Sequence, residues 1–307
     1  MWFSNALIFQ FELDSQVNLE TALEPMKPCP PHARSIYGWL PAIAGEMVHQ
    51  VAGATLICMG KEERILPKAV IKRLLAEKIQ ALELNQNRTV KRAEKAQLAE
   101  ELEFELLPKS FCVQKRQFAL LDTVDNRIIV NCASNNQASQ LISLLRKSVA
   151  GIKIEPFLFT EDLAVRFTEW INNPALLPEN FKLASDCLLV SLDDEKKRFT
   201  CKGFDLPAEE IVTLISQGLA AAEISLIWNE RIQFTLTHDF TLKRIKSLDY
   251  LIDEFNDIRK LDEEYQQKDA ALTLLSGELR ALINDLSKII NKEAPVISMA
   301  EEELAIL

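Results

Sequence analysis

Between Lys68 and Leu107 the chain keeps a helical rhythm of apolar residues, and this stretch limits the folds open to it. Ile71, Leu74, Leu75, Ile79 and Leu82 recur at spacings of three and four, and Leu98, Leu102 and Leu106 resume the pattern after a break at Asn85-Gln86-Asn87. An unbroken helix of this length spans roughly 60 Å. The break predicts two antiparallel helices instead, a hairpin projecting from a sheet. Pro67 fits a first helical position, and Pro108 closes the segment.

The flanking segments alternate like strands. In the opening residues Leu7, Phe9 and Phe11 share one face, with Ile8 and Gln10 on the other. Asn18–Leu23 reads as a short helix ended by the prolines of Met26–Pro31. Ala52–Met59 reads as a buried strand, followed by a turn at Lys61–Arg64. Gln117–Thr123 and Arg127–Cys132 flank the turn Val124-Asp125-Asn126. Asn135–Val149 reads as a helix with Ala138, Leu141, Ile142 and Leu145 inward.

A second strand-and-helix unit follows. Asp186–Leu192 and Arg198–Cys201 pair around Asp193-Asp194-Glu195, a helix runs Pro207–Gln217 and stops at Gly218, and a hairpin turns at His238-Asp239. Leu275, Leu279, Leu282, Leu286 and Ile289 form the seam of a helix expected to pack on another helix, and the tail after Pro295 is expected to fray. The fold class is α+β: residues 1–67 with 118–160 as a central unit, 68–117 as the helical hairpin, and 161–307 as a second unit with C-terminal helices.

Charge is segregated along this framework. Residues 61–147 carry 16 basic and 11 acidic side chains, a net +5, while 1–60, 148–247 and 248–307 carry −3, −4 and −8. In a protein of net charge −10, a basic segment of this kind lets one face meet a polyanion while the rest repels it. At 100° per residue, Arg88, Lys91, Arg92 and Lys95 fall in one stripe about 100° wide that excludes Glu94, Glu100, Glu101 and Glu105. Lys68, Lys72 and Arg73 cluster similarly, and Lys109, Lys115 and Arg116 follow. A solvated helix face accounts for either cluster alone; both together in the one basic region favour phosphate contact. Two smaller groups, Lys196-Lys197-Arg198-Lys202 and Lys243-Arg244-Lys246, fit a solvated surface as well as a groove. Phe111 follows a helix end and reads either as core or as an exposed plug that docks on another subunit.

Signals for catalysis are sparse. His32, His49 and His238 form no metal-ligand spacing, and the eight glycines form no phosphate-binding loop. The six cysteines make no C-x-x-C pair and read as reduced thiols, mostly in the core. Asp122 and Asp125 have the separation of a metal-binding acid pair, but Asp is favoured in hairpin turns for backbone reasons. No apolar run approaches the ~18 residues of a membrane span.

Several stretches, in consistent order, resemble the RdgC family of bacterial recombination-associated DNA-binding proteins. They are Trp2-Phe3-Ser4-Asn5, Lys61-Glu62-Glu63-Arg64-Ile65-Leu66-Pro67, Leu106-Leu107-Pro108-Lys109-Ser110-Phe111, Leu144-Leu145-Arg146-Lys147-Ser148, Thr168-Glu169-Trp170, Arg231-Ile232-Gln233-Phe234, Leu242-Lys243-Arg244 and Gly277-Glu278-Leu279. The resemblance implies a homodimer closed into a ring around double-stranded DNA, binding without sequence specificity and restraining RecA-driven strand exchange. It also implies an association with replication-fork repair; a protein without catalysis or cofactor, cytoplasmic and nucleoid-associated, is expected. Arg88, Lys91, Arg92 and Lys109 match family positions facing the hole, with Lys202 a further candidate, and Phe111 matches a gate residue. Together with Phe111, the seam leucines Leu279, Leu282 and Leu286 are the candidates for contact between copies. The chain departs from the family near Gly203-Phe204 and Leu219, where basic or polar residues are expected. From the residues alone, a helical-hairpin adaptor whose basic stripe meets an acidic protein partner remains the alternative.

Overall fold

The computed structural model describes residues 2–14, 17–191, 193–194 and 196–290, so the tail after Pro295 and Glu195 of the expected turn lie outside the described residues. The first sheet contains β1 (Leu7–Glu12), β2 (Ser35–Leu40), β3 (Val48–Val51), β4 (Ala54–Ile65), β5 (Phe111–Asp122), β6 (Arg127–Val130) and β7 (Lys153–Pro156). Its order is β2-β4-β5-β6-β1-β7, with β3 sharing the β2 edge of β4. The second sheet has the order β12-β11-β10-β8-β9. Its strands are β8 (Phe181–Ser191), β9 (Arg198–Lys202), β10 (Leu219–Trp228), β11 (Ile232–Thr237) and β12 (Leu242–Ser247). Ala6 and Leu242 exchange backbone hydrogen bonds of 2.8 and 3.0 Å, joining the two sheets.

Away from the outer halves of β4 and β5, the first sheet is buried on both faces, as its alternating residues require. Leu7, Phe11, Ile57, Met59, Ala119, Leu121, Ile128 and Val130 pack with helix α4 (Asn135–Ser148) through Ala138, Leu141, Ile142 and Leu145. Their neighbours Ile8, Leu56, Leu120 and Ile129 enter the larger core on the opposite face. Arg146 and Lys147 sit in the last turn of α4, where cations meet the negative end of the helix dipole.

That larger core contains residues of both sheets, of helices α5 (Leu163–Asn172), α6 (Glu209–Ser216) and α7 (Asp249–Ile258), and of the C-terminal helix α8 (Glu264–Ile290), while the short α1 (Leu19–Ala22) lies between β1 and β2. The two expected units therefore share one interior. At 1.5 Å per residue α8 is about 40 Å long. Both sheets hold it through polar contacts. Arg280 donates to Asp122 at 2.7 and 2.8 Å, and Asn284 to Asp125 at 2.8 Å, on the first sheet. Trp228 Nε1 donates to Asp285 at 3.0 Å, and Arg231 to Glu278 at 2.7 Å, on the second.

Three sequence expectations need correction. Lys61–Arg64 is not a turn: β4 continues to Ile65, and β5 begins at Phe111, six residues before its expected start, so all twelve residues of each strand pair. The charged run can sit in a strand because its polar groups find partners there: Lys61 bonds Glu63, and Glu62 accepts from Cys29 N at 3.2 Å. The inserted helices are α2 (Lys68–Gln86) and α3 (Arg92–Leu106), so Arg88 and Lys91 lie in the loop between them and not on a helix face. Asn87 ends α2 in the left-handed conformation, and Val90, 3% exposed, anchors the loop. Finally, Leu279, Leu282 and Leu286 are fully buried in the chain's own core, against sheet residues, so this seam is not available to a second copy.

Candidate nucleic-acid interface

β4 and β5 pair along their whole length, with β2 on the far side of β4 from Cys58 to Glu63; the inner half of β5 is core and its outer half is exposed along Phe111–Arg116. The helix pair α2–α3 connects the outer ends of the two strands. Lys78 and Glu101 approach to 4.0 Å across the helices, each about eight residues from the loop, which sets the pair antiparallel. No α2 residue is buried, and Leu102 is the buried residue of α3.

The root of this helix pair is fastened by Arg64. Its guanidinium reaches five backbone carbonyls: Nε and Nη2 donate to Pro30 and Cys29 on one side (3.4 and 3.3 Å), and Nη1 shares its two N–H groups among Leu107, Pro108 and Ser110 on the other (3.2, 3.4 and 3.4 Å). Only a planar fork with five N–H groups bridges two loops in this way. Nearby, His32 stacks on Phe104 with ring centroids 3.9 Å apart, and Arg34 pairs with Glu103.

On this scaffold the sequence-derived cations separate into three groups. Lys72 and Arg73 on α2, and Arg92 and Lys95 on α3, are exposed and make no side-chain hydrogen bond or ion pair among the described residues. Lys91 precedes α3 and is exposed in the field of Glu94. In the second group a carboxylate already holds the cation. Arg88 forms a bidentate pair with Glu94 (2.6 and 2.7 Å) and bonds Gln86 at 2.7 Å. The Glu94 contact raises the arginine's pKa and lowers that of the carboxyl. Lys109 bonds Glu105 at 3.1 Å, and Lys115 lies 3.6 Å from Glu63.

The third group is set apart by position. Arg116 donates to Pro41 O, lies 3.4 Å from Cys58 Sγ and covers the Phe118 ring at 5.3 Å, so its guanidinium packs against the sheet. Lys202 is exposed at the end of edge strand β9, in the other sheet. Of the smaller basic groups, Lys243 and Arg244 face Glu223 at 2.9 and 3.7 Å.

Phe111 is 86% exposed, so the core reading does not hold. It opens β5 opposite Ile65, itself 48% exposed, and Val113 lies on the same strand face. The acids Asp122 and Asp125 have structural partners: Asp122, 1% exposed, receives Arg280 and Val124 N, and Asp125 receives Asn284. No cluster of three or more His, Cys, Asp or Glu among the described residues is arranged to hold a metal ion, and no described helix is long and apolar enough to cross a membrane. Sequence reasoning missed Lys61, Glu63 and Arg64 beside β5, because a turn assignment hid their strand register.

Two sheets sharing a core around a C-terminal helix, with a cation-bearing helix pair inserted between β4 and β5, define a mixed α/β protein. The chain belongs to the RdgC family: the family model described as "Putative exonuclease, RdgC" matches residues 1–293. It is 35% identical over 296 residues to the recombination-associated protein RdgC of Pseudoalteromonas translucida, covering 94% of this chain and 97% of that protein. It is 32% identical over 303 residues to the proteins of that name from Salmonella paratyphi B and Salmonella typhimurium, covering 96% and 99%. The relatives' name associates them with recombination.

Proposed function

We propose that this protein binds double-stranded DNA without regard to sequence, as a homodimer closed into a ring, and thereby modulates RecA-dependent recombination and replication-fork repair. The observation that carries the reading is the set of exposed cations without carboxylate partners, Lys72, Arg73, Arg92 and Lys95, on one helix pair of a protein whose net charge is −10. Phosphates recur on duplex DNA at any sequence, so cations held in place are sufficient for affinity. Negative charge elsewhere on the chain opposes binding by other faces.

Phe111 is the proposed contact between copies, since an exposed aromatic beside Ile65 gains by being covered. The reading includes no catalytic step, because Arg280 and Asn284 already engage the two acids of the hairpin turn. RecA is restrained by coverage of the duplex in a nucleoid-associated protein. Retention on covalently closed circular duplex tests the ring: the complex should contain two 34.8 kDa chains per bound ring in addition to the DNA and survive a salt wash that frees linear duplex. Equal release from both forms, or a monomeric complex, contradicts it. Magnesium-dependent loss of the duplex contradicts the non-catalytic reading.

A further inference from the structure

The extended register of β4 creates a feature that neither composition nor motif discloses. Lys61 and Lys115 are direct cross-strand partners, and Tyr37 is the partner of Lys61 on its other side, so the three form one row across β2, β4 and β5. Like charges directly opposite one another destabilise a sheet. Glu63, two residues along on the same face, offsets this by approaching Lys61 at 3.1 Å and Lys115 at 3.6 Å. Its contact with Lys61 raises the lysine's pKa and lowers that of the carboxyl.

The row forms one wall of a cavity of about 690 Å³ whose far side is the start of α4, with Ser134, Asn136, Gln137 and Gln140. No described lining residue is acidic. Gln117, in the next row, lines the same cavity, and its Nε2 is buried with no hydrogen-bond partner among the described residues. Ser134 makes no side-chain bond to the first turn of α4.

We propose that this cavity seats a phosphate group, bridging Lys61 and Lys115 and accepting from Gln117, in competition with Glu63, which pairs with both lysines from outside the cavity lining. The carboxylate of Glu63 reaches the lysines but leaves Gln117 Nε2 unused. A tetrahedral anion with several acceptor oxygens serves both ammonium groups and the amide together. The phosphate's source is the nucleic-acid backbone, so this inference rests on the duplex-binding reading; a free phosphate is the other source with the same chemistry.

The test uses the full chain, with lysine acetylation read by mass spectrometry in the presence of a random-sequence duplex or of inorganic phosphate. Duplex should protect Lys61 and Lys115 while leaving Lys182 and Lys260, exposed elsewhere, unchanged. The pair Lys61→Met and Lys115→Met should lower duplex affinity and make the salt slope shallower by roughly 0.9, the value of the one phosphate contact the two lysines share. Glu63→Gln should raise affinity. Duplex binding with unprotected lysines and an unchanged slope overturns the cavity and leaves duplex binding standing. If the chain binds no duplex, the functional reading fails by itself. Protection by inorganic phosphate then supports a free-phosphate site, and its absence overturns the inference.

Discussion

Replacing Arg280 by Met should destabilise the protein by about 3–4 kcal/mol. Asp122 is 1% exposed and accepts two hydrogen bonds from Arg280, at 2.7 and 2.8 Å, and one from Val124 N at 3.0 Å. Without the guanidinium, a buried carboxylate keeps a single hydrogen bond. Breaking a buried pair from one side costs about 3–5 kcal/mol. Arg280 is 23% exposed, so water can partly replace it, which favours the lower part of that range. Against a total stability of about 5–15 kcal/mol this is a large loss. Urea unfolding followed by circular dichroism would measure it as a lowered midpoint with an unchanged slope. Adding Asp122→Asn to Arg280→Met should recover more than half, since a neutral amide removes the uncompensated charge. A loss under about 1 kcal/mol, or no rescue, would refute the argument that this pair locks α8 to the first sheet.

Three further outcomes are expected. Neutralising Arg92 and Lys95 to Gln should make the salt slope of duplex binding shallower by roughly 1.8; Arg88→Gln should do less, because Glu94 already occupies that guanidinium. A thiol reagent should label one cysteine rapidly in the native state, Cys112, and six after unfolding, because the other five are buried; two fast thiols would contradict the packing. Burial raises the pKa of Asp285, but hydrogen bonds from Trp228, Lys288 and Asn180 outweigh it and leave the carboxyl below its ordinary value. A depressed folded-state pKa contributes stability above the unfolded-state value of about 3.9 that is lost as pH falls through the folded-state value. Asp285→Asn should therefore flatten the acid limb of the stability profile, and an unchanged limb would count against those bonds.

Much of the framework was legible because local periodicity and burial agree. The inward set of α4 follows from its 3.6-residue spacing, and Leu7, Ile8 and Phe11 divide between two cores as strand alternation requires. Non-local partners hid the rest. Lys61-Glu62-Glu63-Arg64 has turn-like composition, but in β4 its members meet Cys29, Lys115 and the carbonyls of two loops. The leucine seam of α8 has the spacing of a helix–helix contact, and the sheet core accepts the same ridge. The charge bias between 61 and 147 was visible in composition. Which cations stay available was not, because that depends on carboxylates such as Glu94 and Glu105 reaching them in three dimensions.

The most direct measurement is the affinity of the intact chain for random-sequence duplex as a function of salt. Engagement of about six phosphates predicts a log–log slope of roughly −5, equal for unrelated sequences. A flat dependence, or binding confined to one sequence, would contradict an interface made of cations on phosphate.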